Sequence, residues 1–110
     1  MDKKEIVSGF ISELRRGTVI LCVLAKIKEP TYGYSLTADL SNTGIAVETN
    51  TLYPLLRRLE EQGLLTSEWN TDAAKPRKYY NITKLGKEVL RELKEQWQNT
   101  INSLNQILEV

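Results

Sequence analysis

The side chains that could do chemistry are cations with small hydrogen-bonding residues ahead of them. Arg57 and Arg58 stand side by side, and Lys75, Arg77 and Lys78 cluster further along. Thr49, Asn50 and Thr51 come just before the arginine pair. Guanidinium and ammonium groups meet phosphate oxygens, while hydroxyl and amide groups can meet base edges in a groove. That is the chemistry of recognition, not of bond-making. The chain has no histidine, which removes the usual general base and the commonest metal ligand together. With one cysteine, a zinc site would need to be built from carboxylates, an unusual ligand set. Its glycines are scattered singly, so no phosphate loop is present. No catalytic residue, cofactor or metal is expected.

The 110 residues fit one domain with a modest core, and the net charge is only +1. Total charge therefore says nothing for nucleic acid; the placement of the cations must carry any such case. Cys22 lies in the apolar run Val19-Ile20-Leu21-Cys22-Val23-Leu24-Ala25. This reads as a buried thiol in a reducing compartment. A redox sensor would need exposed positive charge beside the sulfur, and the neighbours are apolar. Met1-Asp2-Lys3-Lys4-Glu5 has no long apolar stretch behind it. The apolar run falls short of the roughly 20 residues that cross a bilayer. A cytoplasmic protein without a membrane partner is expected.

Several elements must position these groups. Ile6, Phe10 and Leu14, with Val7 and Ile11, predict an amphipathic helix from Lys3 to about Leu14, broken or bent at Gly17. Val19, Ile20, Val23, Leu24 and Ile27 predict a central helix from Thr18 to Lys28, ended by Pro30. A shorter helix spans about Tyr34 to Ser41, followed by the turn Asn42-Thr43-Gly44. The next, Thr49 to Gln62, buries Leu52, Leu55, Leu56 and Leu59 and closes at Gly63. Leu64–Trp69 and Arg77–Ile82 read as a hairpin with a long polar tip, and Thr83 can cap a final helix. The expected fold is mainly α with a small β-hairpin, the outline of a winged helix-turn-helix.

At 100° per residue, burying the leucine stripe turns Asn50, Pro54, Arg57 and Glu61 outward, with Tyr53 and Arg58 on the flanks. Such a helix can offer its N-terminal end to base edges and its cations to phosphates. An ordinary solvated face has the same look, and Glu60 and Glu61 dilute the charge. Pro54 cannot donate to the Asn50 carbonyl, so the helix either kinks or starts nearer Asn50 or Thr51. In the hairpin, alternation puts Arg77 and Tyr79 on one side and Lys78, Tyr80 and Ile82 on the other. Lys78 can still reach outward along its stem. With Lys75 the wing carries cations at one edge, opposed nearby only by Asp72. Together with Arg57 and Arg58 they would form a phosphate clamp.

The run from Thr51 through Tyr53-Pro54-Leu55-Leu56-Arg57-Arg58-Leu59 to Leu64 resembles the recognition-helix signature of PadR-like transcriptional regulators. Tyr32-Gly33-Tyr34-Ser35-Leu36 is similar to that family's glycine-tyrosine motif. Arg77-Lys78-Tyr79-Tyr80-Asn81-Ile82-Thr83 is similar to its wing strand. The resemblance implies a homodimeric repressor on an inverted-repeat operator in double-stranded DNA. It places DNA contacts at Thr49, Asn50, Thr51, Tyr53, Pro54 and Arg57, with Lys75, Arg77 and Lys78 in the wing. Tyr32 stands where the family often has histidine, and Tyr34, which matches its tyrosine, is a further expected DNA contact.

Leu90, Leu93, Trp97, Ile101, Leu104 and Leu108 belong to a long apolar seam in the last helix. A small winged domain cannot cover such a seam, so pairing with a second copy is expected. Residues 1–82 would form the DNA-binding unit and 83–110 the dimerisation helix. Trp97 is either an interface knob or, as the resemblance to multidrug-sensing members implies, a platform for a small planar aromatic effector. No acidic residue lies one turn away, so a neutral or anionic aromatic fits better than a cation. The competing reading is a winged-helix protein-interaction module without sequence-specific DNA binding.

Overall fold

The computed structural model describes residues 1–72 and 74–110; Ala73, in the expected hairpin tip, lies outside the described residues. The order is α1 (Lys3–Arg16), α2 (Val19–Lys26), β1 (Thr31–Tyr32), α3 (Gly33–Asn42), α4 (Thr49–Glu61), β2 (Leu65–Asn70), β3 (Arg77–Ile82) and α5 (Lys84–Leu108). The strands form one antiparallel sheet in the order β1-β3-β2. This is a winged helix-turn-helix, with α3 and α4 as the helix pair and β2–β3 as the wing. The two-residue strand β1 is not visible as a strand in the sequence, being too short to show alternation.

Helix ends follow local chemistry. The Asp2 carboxylate accepts from the Glu5 N–H at 2.8 Å and opens α1. α3 and α4 each close on a glycine with positive φ, Gly44 at 90° and Gly63 at 80°. In α4 the Leu64 N–H reaches the Leu59 carbonyl at 2.9 Å and the Gly63 N–H reaches Glu60 at 3.0 Å. This paired closure is the Schellman arrangement, and it turns the chain directly into the wing. α2 stops earlier than expected: Ile27 leaves the helical region with ψ 60°, before Pro30 can exert any restriction.

The core joins Val23, Leu24 and Ile27 of α2 to Leu36 and Leu40 of α3, and to Leu52, Leu56 and Leu59 of α4. Tyr80 of β3 and Leu65 of β2 close it from the wing side. Leu55, expected in the same stripe, is only half-buried at its edge. Cys22 is also half-buried rather than enclosed, and burial pushes its thiol up from 9.0, with Lys26 pulling weakly the other way. The sulfur therefore stays protonated at neutral pH.

The corner where α4, the wing and α5 meet is the tightest part of the molecule. The Thr83 hydroxyl accepts from the Gly86 N–H at 2.9 Å and donates to the Gly63 carbonyl at 2.7 Å. A Cβ on Gly86 would stand 2.2 Å from the Leu64 carbonyl oxygen. Only glycine lets α5 start this close to the α4–β2 junction.

α5 divides in use. Val89, Leu90 and Leu93 pack on the chain's own core, while Leu104, Ile107 and Leu108 are exposed beyond it. α1 has no buried residue at all, and Phe10 is 62% and Leu14 76% exposed. Two apolar helix faces therefore stand open.

Candidate nucleic-acid interface

Burying Leu52, Leu56 and Leu59 rotates the rest of α4 outward, and Thr49, Asn50, Thr51, Tyr53, Pro54, Arg57 and Arg58 are all exposed. The helix starts at Thr49 with Glu48 as its cap residue, so Pro54 lies inside it. The Asn50 carbonyl thus lacks its helical donor in the first turns, where α4 faces solvent.

In the wing, β2 and β3 pair in register from Leu65↔Ile82 to Asn70↔Arg77, and β2 packs against α4. Alternation along β3 sends Tyr80 into the core and Arg77 and Tyr79 to the opposite face. The β1 pairing sets Tyr32 across from Tyr79, and the Tyr79 hydroxyl donates to the Tyr32 hydroxyl. The Arg77 guanidinium carbon lies 4.9 Å from the Tyr32 ring centre and 5.2 Å from that of Tyr34. Lys75 is exposed at the wing's edge.

Lys78 differs from the sequence expectation. Its ammonium lies 3.8 Å from a Glu60 carboxylate oxygen and 5.5 Å from the Tyr80 ring centre. The Ser67 hydroxyl donates to the same carboxylate at 2.7 Å. So Asp72 is not the only acid opposing the wing cations; the fold brings Glu60 of α4 against β2 and β3. Spacing could not show this, because the contact crosses from helix to sheet. The sequence reading also passed over Trp69, which is 64% exposed beside Lys78 in the register.

Gly33 links the two halves of the face. It is buried, and a Cβ there would meet Tyr53 Cε1 at 3.0 Å and Tyr80 Cε2 at 3.3 Å. The start of α3 therefore lies directly against the outward flank of α4. Gly33 thus brings the start of α3 against both α4 and β3.

A family model described as the transcriptional regulator PadR-like family matches residues 20–92. The chain belongs to this family. PadR-like regulators are DNA-binding proteins, and the matched stretch holds the α3–α4 pair, the wing and the first turns of α5. A crystal structure of a PadR family transcriptional regulator from Eggerthella lenta is 50% identical, with a TM-score of 0.92 over 97% of this chain and 96% of that one. A transcriptional regulator of Mycobacterium tuberculosis is 38% identical over 73% of this chain and 76% of its own length. An uncharacterised protein of Lysinibacillus sphaericus is 32% identical over 99% of this chain and 97% of its own. This PadR-like chain is accordingly a DNA-binding transcriptional regulator.

A second feature lies away from that face. An open cavity of about 440 Å³ runs between α1, α2 and α5, lined mainly by apolar side chains including Leu14, Leu21, Leu90 and Trp97. Arg15 and Lys94 also line it. Trp97 is thus a cavity wall.

Proposed function

We propose that this PadR-like protein acts as a homodimeric repressor on an inverted-repeat operator. In this reading α4 enters the major groove, with Thr49, Asn50, Thr51 and Tyr53 near base edges and Pro54 against the groove wall. Arg57, Arg58, Lys75 and Arg77 meet phosphates. Lys78 belongs to the same set, with Glu60 competing for its charge. The observation that carries the reading is the outward α4 face set near the wing through the Gly33 contact, a surface with exposed cations that no element among the described residues covers. Residues 1–82 are the reading unit and 83–110 the pairing unit; this is a division of labour, since packing runs across it.

The open faces of α1 and of the second half of α5 support self-association. Contiguous exposed apolar surface on this scale usually marks an interface, and a twofold pair gives two reading heads for successive grooves. The cavity beside Trp97 is the proposed seat of a small planar aromatic effector, neutral or anionic given Arg15 and Lys94.

The test measures binding of full-length protein to a duplex selected from a randomised pool, across a range of salt. Arg57→Ala should reduce the slope of log affinity against log salt by about one while the dimer persists. Lys78→Ala should reduce it less, because Glu60 already holds part of that charge. Unchanged affinity and slope in the Arg57 variant would count against the interface.

A further inference from the structure

We infer that Tyr34, together with Tyr32, is a positioning residue for Arg77: the two rings form a cradle that holds the guanidinium ready for a DNA phosphate beside the flank of α4. The inference rests on the DNA-binding reading above and gives the tyrosines a role other than direct contact.

The cradle is built by the stretch Thr31-Tyr32-Gly33-Tyr34. Thr31 and Tyr32 form β1, whose pairing with β3 fixes Tyr32 opposite Tyr79. Gly33, packed against Tyr53 and Tyr80, brings the chain into α3 with no side chain in the way. Tyr34 then lies in the first turn of α3, its ring 5.5 Å from that of Tyr32 and inclined by 22°. Tyr79 lies against Tyr32, with ring centres 3.9 Å apart. Arg77, two residues before Tyr79 on the same face of β3, has its guanidinium over the rings of Tyr32 and Tyr34.

A cation–π contact holds the guanidinium against the rings without using its N–H donors, which stay free for a ligand. Those donors suit paired phosphate oxygens. A free wing arginine would lose side-chain freedom when it met DNA; one held by two rings has lost much of it beforehand. The contrast with Lys78 is instructive. The salt bridge formed among the described residues joins Lys78 to Glu60, and Arg77 has no carboxylate within that distance. The fold neutralises one wing cation and aims the other.

Tyr34 is 51% exposed, so it can be changed without opening the core. The experiment measures affinity and salt slope on the selected duplex for Tyr34→Phe, Tyr34→Leu, Arg77→Ala and the Tyr34→Leu/Arg77→Ala double variant. The Phe variant should bind as the parent does. The Leu variant should weaken binding about two- to fivefold, the scale of an exposed cation–π contact, with the salt slope unchanged. Arg77→Ala should lower the slope by about one, and adding Tyr34→Leu to it should cost nothing more. In the free protein, the Arg77 side-chain protons should show upfield ring-current shifts that Tyr34→Leu reduces. Equal losses from Tyr34→Leu on both backgrounds, or a Phe variant as weak as the Leu variant, would show direct contact by the tyrosine and overturn the inference alone. Failure of the parent protein to bind any duplex would overturn both this and the repressor reading.

Discussion

Tyr80 shows how one side chain serves two parts of the molecule. Its ring closes the core from the wing side, and its edge limits the space at Gly33. Burial is the main reason its phenol titrates above the ordinary 10.0, with the Lys78 charge partly offsetting the rise. Because the folded-state value is raised, the unfolded chain gives up its proton first as pH climbs. The contribution is fully present below the ordinary value and is lost as pH rises through the folded one. We expect Tyr80→Phe to flatten the alkaline limb of a stability–pH profile measured by denaturant unfolding. A limb with the same steepness in the variant would mean the phenol does not contribute. At this scale the sequence was informative about exposure, because helical spacing alone turns Arg57, Asn50 and Tyr53 away from the leucine stripe. It was not informative about pairing: Glu60 with Lys78 and Arg77 over Tyr32 join residues far apart in the chain.

The elements were legible where their signals are local. The leucine stripe, Gly63 and Thr83 marked α4 and the start of α5, and the structure closes α4 and opens α5 at those residues. β1 escaped notice because a two-residue strand exists only through its partner, Tyr79 and Tyr80 of β3. The need for glycine at 86 was equally hidden, since it arises from the Leu64 carbonyl across the corner. That corner sets the angle at which α5 leaves the winged domain. Gly86→Ala should destabilise the fold by about 1–3 kcal/mol through overpacking, measured by chemical denaturation. A loss of under about 0.5 kcal/mol, typical of an unconstrained surface site, would show that the corner yields easily.

Across the whole molecule, the division between covered and uncovered surface matters most. The chain extends 52 × 34 × 23 Å, and α5, at 25 residues, is about 37 Å long, so it outruns the domain it starts on. The seam expected as continuous is split. Leu90 and Leu93 lean on the chain's own core, whereas Trp97, Leu104, Ile107 and Leu108 remain exposed. The sequence showed the seam but not the cavity, which needs Leu14 of α1 and Leu21 of α2 as well as Trp97. Trp97→Ala should loosen self-association or abolish quenching of tryptophan fluorescence by planar aromatic compounds. If the dimer dissociates at the same concentration and quenching is retained, neither role belongs to Trp97.

These scales meet in the claim that two copies read one inverted repeat. Native mass spectrometry of the full chain on an inverted-repeat duplex, compared with the isolated half-site, tests it most directly. We expect two protomers on the complete repeat at every partial occupancy, and much weaker association with the half-site. A single protomer bound equally well to either duplex would contradict the account.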